Sequence, residues 1–429
     1  MQKTGKLELT WVGKYDDKVV EPRILLEDVS NSYGDPSSDN MLIHGDNLIA
    51  LQALQQDYAG KIQCIYCDPP YNINAANGQY DDNIANSEWL SLMKQRLQLL
   101  DSLLTENGVI LVQIDKEQSA YLKALMDEVF TRSAYITTIA VRMSATSGFK
   151  IEHSDKTIVK NVEYIHVYSR NLRISPAYEE ADYDSHYSSI IKPSENGKFR
   201  LCNLLQEEEV IADFKRYYID VKAANLTKLY KVSETFREYV YNNMNVIGRT
   251  HTAPAGAEKE KTFLNSTLTY EVIEREYSGG KYYIKRTNTG FNQFIPISLK
   301  FKMVDSIDGY TMKLSNILGD WWDGFYLDMG NVDNEGSVYF KNSKKPERLI
   351  LRILNMFTKP GEYVLDSFLG SGTTAAVAHK MGRKWIGIEL GDHAYTLCKP
   401  RLDGIIDGKD DAGISRFVDW EGGGGYHFY

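Results

Sequence analysis

The chain contains two stretches in which short apolar runs alternate with patterns of helical period. In the first stretch, apolar runs predict strands at 41–44, 61–67, 109–114, 136–141 and 163–168, and periodic segments predict helices at 47–58, 87–104 and 117–130. In the second stretch, helices are predicted at 346–357 and 373–380, and strands at 363–366 and 384–389. Strands that alternate with helices are typical of a doubly wound, mostly parallel α/β sheet.

A long polar segment separates the two stretches. Residues 172–315 are rich in tyrosine and have no regular period. The simplest organisation is one α/β domain formed by 41–171 and 316–400, with a second domain inserted at 172–315. Residues 401–429 are then a C-terminal extension, and residues 1–40 an N-terminal extension that we expect to pack on the core. The apolar positions behind this last expectation are Leu7, Leu9, Trp11, Ile24 and Leu26.

The composition excludes two broad classes of protein. With 43% hydrophobic and 25% charged residues over 429 positions, the chain is not intrinsically disordered. No run approaches the ~18 apolar residues that a membrane-spanning helix needs, and the first residues lack the apolar core of a secretory signal. We therefore expect a cytoplasmic protein without a membrane partner.

The cysteines predict neither a disulfide framework nor a metal site. Cys64 and Cys67 form a CxxC pair, but a zinc site needs four ligands and no second Cys/His pair has a suitable spacing. We expect both residues to act as small hydrophobic side chains on an apolar strand.

Two basic stretches stand out against a net charge of −9. Residues 215–231 carry five basic side chains and one carboxylate, and 281–302 carry five basic side chains and no carboxylate, each interleaved with aromatic residues. Such side chains suit a phosphate backbone and unstacked bases, although a basic run is also typical of a solvated surface. The predicted cationic contacts to such a phosphate backbone are Lys215, Arg216, Lys228, Lys285 and Arg286.

The first motif with chemical content is the segment DSFLGSGTT at 366–374, between a predicted strand and a predicted helix. Its glycines let the backbone approach a ligand closely, and the start of the helix offers unpaired N–H groups. Glu389, at the end of the next strand, is placed to accept hydrogen bonds from a ribose diol. Because Gly370, Gly372 and Ala375 also fit the dinucleotide fingerprint, a nicotinamide-dependent oxidoreductase stays open on this motif alone.

The second motif is Asp68-Pro69-Pro70-Tyr71, directly after the apolar strand at 61–67. The N6 amine of adenine is unreactive because its lone pair is delocalised into the ring. The Asp68 carboxylate and the Pro69 carbonyl can accept both N–H groups of that amine and localise its lone pair. Tyr71 can stack on a base that has left the duplex. The motif therefore indicates activation of an exocyclic amine.

Together, DPPY, DSFLGSGTT and GIE resemble the β-class DNA amino-methyltransferases that use S-adenosylmethionine, in which the DPPY half precedes the glycine-rich half. The segments LELTWVGK, EPRILLED, HGDNLIALQAL and CDPPYN are similar to the modification (Mod) subunits of type III restriction–modification systems. The resemblance covers most of 7–170 and 339–420. It implies a Rossmann-like, seven-stranded sheet with a circularly permuted motif order and a target-recognition domain inserted at 172–315.

The resemblance also implies roles for individual residues. The implied catalytic residues are Asp68, Pro69, Pro70 and Tyr71, and the implied cofactor loop contains Asp366, Phe368, Gly370, Gly372 and Thr373. Glu389 matches the ribose-binding carboxylate, and Lys345 lies in the segment that closes over the methionine end of the cofactor. Asp46 resembles the position that meets the adenine of the cofactor, but it can equally cap the following helix.

The function that these expectations imply is methyl transfer from S-adenosylmethionine to adenine N6 in a specific double-stranded DNA site, for restriction–modification. A homodimer and a restriction (Res) nuclease subunit are the further partners implied. Cytosine-N4 methylation of DNA and adenine methylation of RNA are the nearest alternatives. A nicotinamide-dependent oxidoreductase gives DPPY no role, and a non-catalytic DNA-binding protein gives the intact motifs none.

Overall fold

A computed structural model describes residues 8–17, 21, 23–72, 85–145, 158–194, 199–252, 272–277, 280–287, 290–340 and 344–429. The chain divides into two compact units, which we call the first and second units. The first comprises Met1–Ala177, Asp305–Tyr310 and Leu318–Tyr429, and the second comprises Tyr178–Val304 and Thr311–Ile317. The boundaries differ from the insert expected at 172–315, because 172–177 and 305–310 belong to the first unit and 316–317 to the second.

The strands in chain order are β1 (Tyr33–Gly34), β2 (Met41–His44), β3 (Ile62–Cys67), β4 (Leu104–Ile114), β5 (Tyr135–Arg142), β6 (Val162–Ser169), β7 (Tyr178–Glu180), β8 (Ser189–Pro193), β9 (Phe199–Asn203), β10 (Ile247–Thr252), β11 (Val272–Tyr277), β12 (Gly280–Thr287), β13 (Gly290–Pro296), β14 (Phe301–Ser306), β15 (Gly309–Ile317), β16 (Trp321–Trp322), β17 (Tyr363–Asp366), β18 (Lys384–Glu389) and β19 (Gly425–Phe428).

The α-helices are α1 (Asn47–Tyr58), α2 (Asn86–Leu103), α3 (Lys116–Val129), α4 (Glu208–Arg216), α5 (Leu226–Val232), α6 (Glu234–Asn242), α7 (Phe325–Asp328), α8 (Glu347–Phe357), α9 (Thr373–Lys380) and α10 (Lys399–Ile406). Helix α2 begins at Asn86, one residue before the predicted start, and has no side-chain cap. Every helix in the described ranges is too short or too polar to cross a lipid bilayer.

Ten strands in the described part of the first unit form one sheet, in the order β1-β19-β2-β18-β17-β3-β4-β6-β5-β16. Strands β2, β18, β17, β3 and β4 are parallel to one another, whereas β6 is antiparallel to both β4 and β5. The seven predicted strands are the central ones of this order: β2, β18, β17, β3, β4, β6 and β5. The sequence did not predict the three short strands β1, β19 and β16, which extend the two edges.

The central strand β3 shows why these strands are apolar along their whole length. All six residues of Ile62–Cys67 are buried. Cys64 and Tyr66 pack in the cluster that includes α8 and α9, and Ile65 and Cys67 pack on the other face with α1, α2 and α3. Helices therefore cover both faces, as a parallel sheet requires.

The two cysteines of β3 are buried and free, which confirms the expectation that they act as small hydrophobic residues. Because strand side chains alternate, Cys64 and Cys67 enter different core clusters. Across the described residues, no group of three or more His, Cys, Asp or Glu side chains is arranged to hold a metal ion.

The described N-terminal residues pack on the core only in part. Leu9 and Trp11 contact the α2 side of the sheet, and the Trp11 indole donates to Ser91 Oγ at 2.8 Å. Ile24 and Leu26 are 76% and 74% exposed, so the expectation is wrong for these two positions. Leu7 lies outside the described residues.

The connections from the sheet centre change direction between β3 and β17. From β3 the chain continues to β4 on one side, and from β17 it continues to β18 on the other. In open α/β sheets such a switch point leaves a crevice at the carboxyl ends of the two strands. The first unit therefore has a ligand-binding crevice where its two sequence motifs emerge.

The second unit combines a barrel with helices. Its closed barrel has the strand order β10-β13-β12-β11-β9-β8, and β14, β15 and β7 form a three-stranded sheet. Helices α4, α5 and α6 bury apolar side chains, among them Phe214, Leu229 and Phe236, in one cluster. The barrel strands pair antiparallel, some as hairpins between consecutive strands, such as β8 with β9, and some across longer stretches of sequence, such as β10 with β8 and β13.

Candidate active site

The DPPY motif and the glycine-rich segment meet at the crevice of the first unit. Because β3 and β17 are adjacent and parallel, the segments that follow them, 68–71 and 367–372, lie side by side at one edge of the sheet. Both segments line one cavity of about 310 Å³. The predicted site residues on its wall are Asp68, Pro69, Pro70, Tyr71, Lys345, Asp366, Phe368, Gly370, Thr373 and Glu389.

Two glycines shape the loop between β17 and α9. Gly370 and Gly372 have φ of +56° and +80°, in the left-handed region that other residues rarely adopt. Gly372 is the N-cap of α9, and a Cβ there would lie 3.5 Å from the Cα of Cys398. The loop therefore depends on glycine for its left-handed backbone conformation, whereas a Cβ at Gly372 would meet Cys398 only at an ordinary contact distance.

Glu389 at the end of β18 fastens this loop. Its Oε2 accepts from the N–H of Gly370 at 2.8 Å, and its Oε1 accepts from the N–H of Gly391 at 2.9 Å. The side chain is buried but lies on the cavity wall. A carboxylate has about four acceptor positions, so Glu389 can also accept hydrogen bonds from a diol.

Asp366 closes the other side of the loop. Its carboxylate accepts from the N–H of Phe368 at 2.9 Å and from the Thr374 hydroxyl at 2.6 Å. Burial raises the pKa of Asp366 to about 7 against these hydrogen bonds, which favour the ionised form. Part of the Asp366 population is therefore protonated at neutral pH.

A second set of contacts holds the loop from the C-terminal region. The buried Arg401 donates through Nη1 to the Ser371 carbonyl at 3.1 Å and to Thr373 Oγ1 at 2.9 Å. Its Nη2 donates to Glu347 Oε1 at 2.7 Å, and Lys380 also pairs with Glu347 at 2.7 Å. The glycine-rich loop thus rests on a buried charge network that the motif search did not reveal.

The DPPY turn is held by neighbouring side chains. The Trp89 indole donates to the Pro70 carbonyl at 2.9 Å. Asn72 follows with φ of +51°, a conformation that asparagine tolerates better than most residues. Its side chain donates to Asn86 Oδ1 at 3.1 Å. These contacts fix where the strand β3 delivers the Asp68 carboxylate.

Asp68 has two close partners within the cavity. Lys345 Nζ lies 2.7 Å from Asp68 Oδ2, and the Tyr71 hydroxyl lies 2.7 Å from Asp68 Oδ1. The Lys345 ammonium also lies 5.1 Å from the centroid of the Tyr71 ring. The predicted catalytic carboxylate is therefore held by its own motif and by the segment that precedes α8.

Glu163 is a second carboxylate beside Asp68. Its Oε2 lies 2.9 Å from the Tyr71 hydroxyl and 3.5 Å from Lys345 Nζ, and it accepts from Gln113 Nε2 at 2.6 Å. The Tyr66 hydroxyl in turn donates to Gln113 Oε1 at 2.7 Å. A tyrosine hydroxyl carries one proton, so Tyr71 donates to Asp68 or Glu163 and not to both fully.

The pKa values of this cluster reflect burial first and charge second. Burial raises the pKa of Asp68, with a further contribution from Glu163, although the Lys345 ammonium opposes the rise. Burial acts the same way on Glu163, but Lys345 and the hydrogen bonds from Gln113 and Tyr71 outweigh it, so its pKa is lowered. The pKa of Lys345 is raised, because Asp68 and Glu163 outweigh the effect of burial. Glu163 and Lys345 are therefore charged at neutral pH.

Comparison with known proteins identifies the family. The model of the DNA methylase family N6_N4_Mtase matches residues 62–400. The chain belongs to this family. It is 33% identical over 410 residues to the probable type III restriction-modification enzyme HindVI Mod subunit of Haemophilus influenzae, over 92% of this chain and 54% of that protein.

Two further Mod subunits of type III restriction-modification enzymes are similar to this DNA methylase family member. The EcoPI Mod subunit of Escherichia phage P1 is 26% identical over 86% of this chain and 60% of that protein. The StyLTI Mod subunit of Salmonella typhimurium is 24% identical over 84% of this chain and 52% of that protein. The chain thus spans about half the length of these curated relatives.

Asp46 and Gly372 are the predicted cofactor residues of this methylase chain that do not line the cavity. Asp46 is the N-cap of α1: its Oδ1 accepts from the N–H of Leu48 at 2.7 Å. It also pairs with Arg96 at 3.3 Å, and its side chain is 41% exposed. The sequence allowed two roles for Asp46, a helix cap and a cofactor contact. In the structure Asp46 is a helix cap.

The motif search missed several residues on the cavity wall, including Asn47, Arg96, Lys160, Glu163 and Phe340. Glu163 had a usable signal. It lies near the amino end of β6, and β6 is antiparallel to β4, with Ile114 opposite Tyr164. The start of β6 therefore lies at the edge where the parallel strands end. A carboxylate at that position in an apolar strand is a candidate site residue.

The predicted DNA contacts all lie in the second unit but in two different parts of it. Lys215 and Arg216 are exposed at the end of α4, and Lys228 is exposed on α5. Arg216 also pairs with Asp213 at 3.3 Å. Lys285 is half-buried on the barrel strand β12. Arg286 follows it on that strand, and its side chain lies outside the described part.

Proposed function

We propose that this chain transfers a methyl group from S-adenosylmethionine to the N6 amine of adenine in a specific site of double-stranded DNA. The observation that carries the proposal is that the Asp68 carboxylate and the glycine-rich segment 367–372 line one cavity. A base held at Asp68 and a cofactor held at that segment would share it. The names of the similar Mod subunits support a role in restriction–modification, which would place the activity in the cytoplasm with the DNA.

The residues around the loop fit S-adenosylmethionine. The left-handed glycine Gly370 brings bare backbone to the cavity side, and Glu389 offers a carboxylate suited to a ribose diol. Lys345 lies next to the loop, since its carbonyl accepts from the Thr373 hydroxyl at 3.3 Å. When bound, the cofactor supplies an electrophilic methyl group on a cationic sulfur.

A nicotinamide cofactor fits this cavity less well. Its diphosphate is anionic, whereas the wall carries four carboxyl groups, those of Asp68, Glu163, Asp366 and Glu389, against three cationic groups, those of Arg96, Lys160 and Lys345. The N–H of Gly370, which such a phosphate would need, already donates to Glu389. The charge of the cavity therefore favours a cationic cofactor over an anionic one.

Asp68 would act on the target amine. Its carboxylate and the Pro69 carbonyl accept the two N–H groups, so that the nitrogen lone pair is localised and points away from the ring. As the nitrogen takes the methyl group it becomes positively charged, and Asp68 stabilises that charge. The amine then loses one proton, and burial raises the pKa of Asp68 in the direction that suits it to accept this proton.

Tyr71 would hold the base. The amine of adenine is paired inside a duplex, so the nucleotide must be flipped out before it reaches Asp68. The ring of Tyr71 lines the cavity, and its hydroxyl is fixed by Asp68 and Glu163. A ring held in this way offers a rigid stacking surface for the flipped base.

We prefer adenine over cytosine as the proposed target base because of one residue, Asp68. Relatives that act on cytosine N4 usually carry serine where this chain has Asp68. The second unit, with the basic residues at 215–228 and Lys285, would read the DNA sequence and hold phosphates. A Res subunit and a second copy of the chain are the further partners we propose, by similarity to the Mod subunits.

The deciding experiment is mass spectrometry of nucleosides from DNA and RNA incubated with the protein and S-adenosylmethionine. We expect N6-methyl-2′-deoxyadenosine from double-stranded DNA and no methylated ribonucleoside from RNA. N4-methylcytosine, or modified RNA with unmodified DNA, would overturn the substrate. Calorimetry with S-adenosylmethionine and with NAD tests the cofactor independently, and binding of NAD alone would overturn the proposed reaction.

A further inference from the structure

Glu163 carries a charge that the proposed activation of the amine does not use. It lies outside both sequence motifs, yet it lines the cavity and contacts Tyr71 at 2.9 Å and Gln113 at 2.6 Å. Its side chain is 20% exposed, and removing a carboxylate this far from water is costly unless the charge has a partner. The partner is Lys345, which Glu163 shares with Asp68.

The charges of this cluster do not cancel. Lys345 lies 2.7 Å from Asp68 and 3.5 Å from Glu163, so one ammonium serves two carboxylates. The other cations on the cavity wall also have acidic partners: Arg96 pairs with Asp46, and Lys160 pairs with Asp115 while it also helps to lower the pKa of Glu163. Counted with Lys160 and Asp115, the cluster sets the carboxylates of Asp68, Glu163 and Asp115 against the ammonium groups of Lys345 and Lys160. With all five groups ionised, it keeps one net negative charge.

We infer that Glu163 supplies the uncompensated negative charge by which this site binds the cationic sulfonium of S-adenosylmethionine and stabilises the cationic amine formed from it. The inference rests on the proposed function. In the transfer, a carbon–sulfur bond breaks and a carbon–nitrogen bond forms at N6, and the positive charge moves from sulfur to nitrogen. One N–H proton then passes to the Asp68 carboxylate, and both products are neutral at the sulfur and the nitrogen.

This role differs from that of Asp68. Asp68 alone would be neutralised by Lys345, and the pair would offer the substrate hydrogen bonds without net charge. Glu163 restores the charge and leaves Asp68 oriented by Lys345 and Tyr71. The site should therefore distinguish a cationic cofactor from its neutral product, which favours binding of the substrate and release of the product.

The test is the affinity of the full chain for three related ligands, measured by calorimetry in the absence of DNA. S-adenosylmethionine carries a sulfonium, sinefungin carries an ammonium in its place, and S-adenosylhomocysteine is neutral there. In Glu163→Gln, which keeps the side-chain shape, we expect both cations to lose at least about tenfold in affinity, the effect of one unit charge within about 10 Å at an effective dielectric constant of about 20. The affinity for S-adenosylhomocysteine should stay the same.

Glu362→Gln is the matched control. Glu362 also pairs with a cation, Arg173, at 2.6 Å, and its side chain is 26% exposed, but it lies before the amino end of β17 and not on the cavity wall. This variant should bind all three ligands like the unaltered chain.

The outcomes separate the inference from the proposed function. An equal loss of affinity for charged and neutral ligands in Glu163→Gln would show a structural role and overturn the inference. Unchanged affinity for all three would overturn it as well. If the unaltered chain binds none of the three, the proposed function itself fails.

Discussion

The ammonium of Lys345 lies 2.7 Å from the carboxylate of Asp68, although the two residues come from the two sequence-separated pieces of the α/β unit. The same lysine reaches the cofactor loop through its backbone, where its carbonyl accepts from Thr373 at 3.3 Å. Lys345 therefore connects the DPPY motif to the glycine-rich loop. The motif resemblance assigned this residue to the cofactor, whereas its side chain contacts Asp68, the carboxylate for which we propose the catalytic role.

The first prediction concerns Asp68. We expect Asp68→Ala to lower kcat by about 10²-fold or more, as the loss of an oriented charge-stabilising group does, while S-adenosylmethionine still binds. Asp68→Asn should also fail, because its amide presents one acceptor oxygen and turns an NH₂ group toward the donors of the amine. Single-turnover methylation and calorimetry on the same samples measure the two effects.

The counterpart for this experiment is Asp39→Asn. Asp39 pairs with Lys384 on the surface and does not line the cavity. Its activity should be unchanged. An Asp68→Ala protein with full activity would contradict the proposed mechanism.

The second prediction concerns Tyr71, where the contacts change what the residue type alone suggests. A stacking ring predicts that Tyr71→Phe keeps most activity. The hydroxyl, however, lies 2.7 Å from Asp68 and 2.9 Å from Glu163, and its removal leaves a buried acceptor without its donor. Such a loss costs about 1–3 kcal/mol. We therefore expect a decrease of about tenfold in kcat for Tyr71→Phe, and a larger one for Tyr71→Ala.

Steady-state kinetics on a DNA substrate distinguish the two parts of the side chain. Tyr71→Ala should also raise KM for DNA, because the flipped base loses its stacking surface. Equal kinetic constants for Tyr71→Phe and the unaltered chain would mean that the hydroxyl contacts have no role in the reaction.

The sequence predicts those residues of the site that lie in its motifs. Asp68 and Glu389 each follow an apolar strand, and parallel strands bring their carboxyl ends to one edge, so their meeting could be expected. The ion pair of Asp68 with Lys345 could not, because it depends on how the segment before α8 lies across the cavity. The sequence did not identify Glu163 as a site residue for a related reason. Its position at the site follows from the antiparallel direction of β6, and the apolar pattern of a strand does not show its direction.

The fold shows the same division. Strands β2 to β6, β17 and β18 were predicted because each contains an apolar run, and in the parallel strands β2, β3, β4, β17 and β18 this run follows from burial on both faces of the sheet. The barrel of the second unit was not predicted, because β8 mixes buried with exposed residues, β9 has only half-buried and exposed ones, and the closure of the barrel joins segments far apart in the chain, such as β8 and β10. The two-residue strands β1 and β16 are too short to produce any pattern.

The third prediction concerns the buried support of the cofactor loop. Arg401→Met removes the donor to Ser371 and Thr373 and leaves Glu347 with one cation, Lys380. Breaking a buried ion pair in this way costs about 3 kcal/mol or more. We expect a loss of that size in the free energy of unfolding by urea, together with weaker binding of S-adenosylmethionine.

An exposed arginine provides the comparison. Arg416→Met removes a guanidinium whose side chain is 77% exposed and whose partner, Asp411, is 88% exposed. Its unfolding free energy should stay within about 0.5 kcal/mol of the unaltered chain. Equal stabilities for the two variants would show that the Arg401 network does not support the loop.

The fourth prediction is a pH dependence that arises at Asp366. Burial raises its pKa from 3.8 to about 7, so the folded chain holds this proton more tightly than the unfolded chain does. The stabilising contribution is fully present below about pH 4 and is lost as the pH rises to about 7. Asp366→Asn does not titrate and can keep the contacts with Phe368 and Thr374.

The measurement is urea unfolding of both proteins between pH 5 and pH 8. The unaltered chain should lose stability relative to Asp366→Asn as the pH rises, by up to about 1.4 kcal/mol per pH unit, and the difference should level off above pH 7. A constant difference across this range would mean that Asp366 is ionised throughout.

The last prediction concerns the basic residues of the second unit. If Lys215, Arg216, Lys228, Lys285 and Arg286 contact phosphates, each neutral substitution should weaken binding about equally for cognate and unrelated DNA. Each should also reduce the slope of log K against log salt by about one, because each contact releases about one counterion. Fluorescence anisotropy at several salt concentrations measures both quantities.

Lys313→Gln is the control, because Lys313 pairs with Glu180 at 2.7 Å and is not in the predicted set. Two groups should be tested separately: the exposed residues of α4 and α5, and the barrel residues of β12. A salt slope that changes for one group alone identifies which part of the second unit contacts the DNA. An unchanged slope after all five substitutions would exclude both stretches from the interface.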